Sequence, residues 1–147
     1  MQMDTKKLAN TLSAPDCEGR VPYAYPDSEG YLTIGVGHLI DKRRGGRLSD
    51  AVINQILRED ISNCVVDLDR EVPWWTNNND CRQRAMAELC FNLGIKGLLG
   101  FKKMLAAWQT GDYLTAAEEL KDSKWWSQIQ ASRKERLFSM IQTGEDL

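Results

Sequence analysis

At 147 residues, 42% hydrophobic and 27% charged, the chain suits one domain that buries a core without help from disulfides or metals. A net charge of −2 argues against a nucleic-acid binder, which needs a concentrated basic surface, and no uninterrupted apolar run reaches the length of a membrane span. The opening residues MQMDTKKLANTLSA lack a signal-type apolar run, so the expectation is a chain made in the cytoplasm without an export signal.

Cys17, Cys64, Cys81 and Cys90 are irregularly spaced with no CxxC pair, and His38 is the single histidine. That pattern speaks against a zinc site, so neither metal nor cofactor is expected, and the thiols are expected to be reduced and buried. Lys42, Arg43, Arg44 and Arg47 around Gly45-Gly46 read as a solvated loop, with anion contact as the lesser reading.

In chain order, Asp4 to Ser13 carries a weak helical pattern, with Leu8 and Leu12 on one face. Pro15 interrupts it: either the helix ends near Ala14 or a short turn starts there and carries Glu18, and Gly19 ends it. Val21 to Tyr25 and Tyr31 to Val36 read as strands around the turn Pro26-Asp27-Ser28-Glu29-Gly30, a hairpin or small sheet. Period-two alternation puts Leu32, Ile34 and Val36 on one face and Thr33 on the other, across an open glycine floor.

Ser49 is placed to cap a helix through about Val66, with Val52, Ile53, Ile56, Leu57 and Ile61 as its apolar face. Pro73 and the run Asn77-Asn78-Asn79 break the chain. Asp80 to Phe91 forms a helix central to the core, with Ala85, Met86, Leu89 and Cys90 inward and Gly94, Gly97 and Gly100 stopping it. Trp74 and Trp75 form either an extra wall or a cap on the core. Further helices are expected over Phe101 to Trp108, Tyr113 to Asp122 and Ser132 to Ile141, ended by Gly111 and Gly144. The picture is α+β: a single domain over 1–147, with a sheet lobe over about 19–45 leaning on a helical lobe across a cleft.

Two carboxyl groups and a hydroxyl stand out at Glu18, Asp27 and Thr33. Glycoside hydrolysis needs a proton for the leaving oxygen and a water or carboxylate at the anomeric carbon. Glu18, at a helix end beside packed residues, suits a protonated acid; Asp27, on a polar turn, suits an ionised base or charge stabiliser; Thr33 suits a water-positioning hydroxyl. By spacing alone the plainer reading is favoured, a helix-end charge and a turn-forming aspartate.

The longer string alters that balance. Glu18-Gly19, Ala24-Tyr25-Pro26-Asp27, Glu29-Gly30-Tyr31 and Thr33-Ile34-Gly35-Val36-Gly37-His38-Leu39 resemble the signature of the T-even bacteriophage lysozymes, glycoside hydrolase family 24. The resemblance returns at Phe91-Asn92-Leu93-Gly94 and from Ser123 through Trp125, Arg133, Arg136 and Thr143-Gly144. It implies a lysozyme-like α+β fold and an inverting muramidase. Glu18 would be the general acid, Asp27 the residue activating the nucleophile, and Thr33 the water-positioning hydroxyl. Leu39, Phe91, Asn92 and Trp125 would line the saccharide site, with core packing as the competing role for Phe91.

On the same resemblance Arg133 pairs with the catalytic glutamate, His38 and Asp60 form a structural ion pair, and Glu29 and Lys124 form a further one. Cys17 stands where that type has an acid, so Arg136 is expected to find another partner, with Asp16 a candidate. The implied context is a monomeric endolysin, released through a holin and acting on bacterial peptidoglycan from the periplasmic side, with the long-range steering of basic phage lysozymes missing. The competing readings are a lytic transglycosylase, a chitinase, and a catalytically inactive wall-binding or virion structural module.

Overall fold

In a computed structural model, residues 3–17, 19–41 and 47–147 are described. Two compact units divide the chain, Met1–Gln55 and Ile56–Leu147. Among the described residues there are six α-helices and a three-stranded antiparallel sheet, the α+β class expected.

The first unit opens with α1 (Thr5–Ser13), whose N-cap Asp4 accepts a hydrogen bond from the Lys7 backbone N–H at 3.0 Å. Pro15 ends it for a local reason: a residue before proline is pushed out of the helical region, and Ala14 has φ −67° and ψ 148°. The helix thus ends near Ala14, the first of the two alternatives at Pro15, and the backbone N–H groups of Cys17 and Gly19 both donate to the Ala14 carbonyl. Strands β1 (Val21–Pro26), β2 (Leu32–Gly35) and β3 (His38–Leu39) then form a meander in the order β1-β2-β3. Thr33 lies opposite Tyr25 on one side and Leu39 on the other. Pro26, which has no N–H to give, sits on an edge strand where a ladder bond is dispensable.

One expectation about this sheet fails. Thr33 is its buried residue, 6% exposed, whereas Leu32, Ile34 and Val36 are only half-buried. Alternation assigned the faces but not their covering. On the central strand Thr33 shares its face with two cross-strand neighbours, which an edge residue would lack.

Helix α2 (Asp50–Glu71) starts at Ser49, whose hydroxyl accepts from the Val52 N–H at 3.3 Å. It runs past the expected end at Val66 because nothing before Pro73 breaks it, and Leu68 and Val72 carry the apolar spacing into the core. The apolar face of its first half is largely uncovered: Ile53, Ile56, Leu57 and Ile61 are 43–46% exposed. A helical period reveals which stripe is apolar without revealing what covers it.

In the second unit a 3₁₀ turn over Pro73–Asn77 precedes α3 (Asp80–Leu99), α4 (Lys102–Gln109), α5 (Tyr113–Lys121), a second 3₁₀ turn over Trp125–Gln128, and α6 (Ala131–Thr143). Trp75 is buried and donates its indole N–H to Asp69 at 2.7 Å, and Trp74 packs against the core, so this pair caps the core. Asn78 ties the turn to α4 by accepting from the Trp108 indole at 2.9 Å. Gly94 breaks α3 internally with φ 73° and ψ 161°, so the segment bearing Phe91 and Asn92 ends there as the sequence suggested. Inward residues of α3, α4, α5 and α6 make the core, including Met86, Leu89, Trp108, Leu120, Leu137 and Ile141. Cys81 and Cys90 are buried as expected, while Cys17 is exposed.

Candidate active site

In the first unit the turn after β1 is built around Asp27. One carboxylate oxygen, Oδ1, accepts from the backbone N–H groups of Glu29 at 2.9 Å and Tyr31 at 2.8 Å. The Asp27 N–H donates to the Tyr31 carbonyl at 2.8 Å. Such Asx geometry is the turn-forming role that spacing favoured. It occupies one oxygen and orients the carboxylate, and Oδ2 has no hydrogen-bond partner among the described residues. Both roles of Asp27 are therefore compatible: the turn holds the group, and the second oxygen is available to chemistry.

Thr33 meets the same carbonyl. Its hydroxyl donates to Tyr31 O at 3.3 Å, so Tyr31 O links Asp27 and Thr33. With its proton directed there, the hydroxyl keeps lone pairs for an O–H donor such as water. Asp27, Glu29, Tyr31 and Leu39 line a pocket of about 290 Å3, with Leu39 41% exposed. His38 is exposed on β3.

Of the other saccharide candidates, Phe91, Asn92 and Trp125 lie in the second unit, where two of them are directly joined. Trp125 donates its indole N–H to the Asn92 side-chain oxygen at 2.9 Å. Arg133 lies over the Trp125 ring, 5.4 Å from its centroid, inside the range of a cation–π contact. Phe91 is 47% exposed, which overturns core packing as its role: at the end of the first segment of α3 it faces outward. Phe91, Arg133 and Glu88 line a pocket of about 350 Å3.

Glu88 is the residue that sequence reasoning missed. Its carboxylate takes Arg133 Nε at 2.9 Å and both Nη groups of Arg136, at 2.7 and 3.0 Å. Arg136 thus has its partner in Glu88. Burial pushes the Glu88 carboxyl up, but the hydrogen-bonded guanidiniums of Arg136 and Arg133 outweigh it and hold the group below the usual carboxylate range. An acid held ionised in this way orients cations and gives up no proton. A signal was present in the sequence, an acid three and four residues before Phe91 and Asn92 with Arg133 and Arg136 three apart, but only the packing of α3 against α6 joins them.

Glu18 and residues 42–46, which include Lys42, Arg43 and Arg44, lie outside the described residues. Arg47 is exposed. Asp60 is exposed on α2 and lines a third pocket with Cys64, Asp67 and Cys90. Among the described residues no cluster of three or more potential metal ligands occurs, and no helix is long and apolar enough to cross a membrane.

Residues 15–138 match the sequence model of the family described as Phage lysozyme. The chain belongs to the phage lysozyme family. That span contains Glu18, Asp27, Thr33 and the Glu88–Trp125–Arg133 group, and the helices and small sheet form a lysozyme-like α+β fold. Among relatives, the "Pre-baseplate central spike protein Gp5" of Enterobacteria phage T4 is 31% identical, over 86% of this chain and 26% of the spike protein. The "Probable T4-type lysozyme 1" and "Probable T4-type lysozyme 2" of Dictyostelium discoideum are 29% and 28% identical, each over 86% of this chain and 89% of the relative. The chain therefore spans about a quarter of the spike protein but most of the length of the two lysozymes.

Proposed function

We propose that the chain is a muramidase, cutting the β-1,4 bond between N-acetylmuramic acid and N-acetylglucosamine in peptidoglycan. Its membership of the phage lysozyme family through a segment holding every candidate site residue carries this reading. Glu18 gives its proton to the leaving glycosidic oxygen. Asp27 takes a proton from the attacking water through its open carboxylate oxygen, and Thr33 orients that water, so attack comes from the opposite face and inverts the anomeric centre. The pinned Oδ1 of Asp27 supports this assignment, because a base held by two backbone N–H groups enters the reaction already aimed. Leu39, Phe91, Asn92 and Trp125 contact saccharide, with Trp125 offering its aromatic face to sugar C–H groups. Arg133, His38 and Asp60 support the site, the last two on the resemblance alone.

The context in this reading is bacterial lysis by a monomer that reaches the wall through a holin. The similarity to the T4 spike protein favours a second reading, a wall-active or structural module carried on a virion. Mass spectrometry of muropeptides released from purified peptidoglycan by wild type and Glu18→Gln separates the readings. Reducing ends released by wild type and lost in the variant are the expected result. Anhydro ends identify a transglycosylase, and no release by wild type overturns both enzymatic readings in favour of the structural module.

A further inference from the structure

Arg133 and Arg136 share one carboxylate but spend it differently. Arg136 turns both Nη groups onto Glu88. Arg133 gives only Nε, and neither of its Nη groups has a hydrogen-bond partner among the described residues. The same guanidinium lies over Trp125, whose indole N–H is tied to Asn92. A chain of contacts therefore runs from Arg136 through Glu88 and Arg133 to Trp125 and Asn92, beside the pocket lined by Phe91.

We infer that Glu88 is a positioning residue for the muramidase reaction: it grips Arg133 by its Nε edge, holding the guanidinium on Trp125 and setting the direction of its Nη pair beside the saccharide site. The inference rests on the muramidase reading above. Several features support it. A guanidinium is a planar fork, so fixing Nε fixes the direction of the Nη pair. Glu88 is a poor proton donor while two arginines hold it ionised, which leaves orientation as its contribution. Without it, two cations of α6 would face one another with no counter-charge, and Arg133 would leave the ring. The effect reaches substrate through Arg133 and Trp125, so it belongs to saccharide binding more than to bond cleavage.

The test compares Glu88→Gln, Glu88→Asp, Arg133→Ala and the Glu88→Gln/Arg133→Ala pair on soluble peptidoglycan glycan strands, with the Trp125 indole N–H followed by NMR and assigned through Trp125→Phe. Glu71→Gln, which breaks an exposed ion pair with Arg70, serves as the control with unchanged kinetics. In Glu88→Gln the KM is expected to rise roughly tenfold with kcat within about twofold, and the Trp125 resonance to move. Glu88→Asp, keeping the charge, should recover most of the KM, and the double variant should be no worse than Arg133→Ala alone. If Glu88→Gln does not fold, Glu88→Gln/Arg136→Met, which removes the surplus positive charge as well, is read with the same expectations. An active wild type matched by Glu88→Gln in KM, an unmoved indole resonance, or multiplicative losses in the double variant overturns the role of Glu88. A wild type without activity on peptidoglycan overturns the muramidase reading itself.

Discussion

Trp125 donates its indole N–H to the side-chain oxygen of Asn92, 33 residues away in sequence, at 2.9 Å. The bond restrains the ring's rotation, so in the proposed saccharide site the aromatic face would need little further ordering on binding. Asn92→Ala is expected to weaken binding of a peptidoglycan disaccharide roughly fivefold to tenfold in calorimetric titration, equivalent to about 1 kcal/mol. Because Asn92 is exposed, the unfolding midpoint in urea should barely move.

Thr33 permits a cleaner separation of chemistry from folding. Tyr31 O keeps the Asp27 N–H at 2.8 Å when the threonine hydroxyl is removed, so Thr33→Val leaves no orphaned carbonyl. Stability should change by no more than about 1 kcal/mol, while kcat falls on the order of 100-fold if the hydroxyl orients the water. Retained turnover in a folded Thr33→Val protein would remove Thr33 from the mechanism.

The Glu88 cluster sets a pH dependence of stability. Arginine pairing lowers the folded-state pKa of Glu88 below its unfolded value. The unfolded chain therefore binds the proton first on acidification. The stabilisation is complete above the unfolded value and is lost as pH falls through the folded one. At pH 7 Glu88→Gln should cost about 1–2 kcal/mol, at the lower end for charged hydrogen bonds because Arg136 is 41% exposed and solvent screens it. Urea unfolding at pH 3 should show a smaller gap between wild type and variant than at pH 7. A gap that widens towards acid would contradict the assignment.

The end of α6 offers a test of backbone chemistry. Gly144 terminates the helix with φ 73°, and a Cβ there would lie 2.8 Å from Arg82 Nη1 and from Asn79 Nδ2. Those two side chains cap the helix: Asn79 donates to Gly144 O, and Arg82 donates to the carbonyls of Ile141 and Gln142. Gly111 has φ 83° with nothing within 4 Å of a built Cβ. Alanine at either site incurs left-handed strain of about 1 kcal/mol. Gly144→Ala should lose about 1 kcal/mol more, through displacement of the caps, and thermal unfolding of the two variants gives the difference directly.

The elements of this chain were legible because each is set by neighbours in sequence. Asp4, Ser49 and Asn79 sit where helices start, and Ala14 before Pro15, Gly94 and Gly144 sit where they end or break, each through local backbone chemistry. The signature from Glu18 to Leu39 likewise named Asp27 and Thr33 and pointed to the family, and the turn of Asp27 is built from atoms within four residues of it. What covers a face is not a local property. Alternation placed Thr33 away from the apolar side and the helical period grouped Ile53, Ile56, Leu57 and Ile61 on one face, but neither pattern carries the burial of Thr33 or the exposure of those side chains. Glu88 shows the same divide most clearly: its spacing from Phe91 and Asn92 is visible in the sequence, but its pairing is not, because the arginines that hold it stand 45 and 48 residues further on. Sequence alone determined the helices, the hairpin and the family, and it nominated Glu18 and Asp27 as the acid and base of the proposed reaction. Only the packing of α3 against α6 decided which charge orients Arg133, since an ion pair between distant segments exists only once the fold has brought them within hydrogen-bond reach.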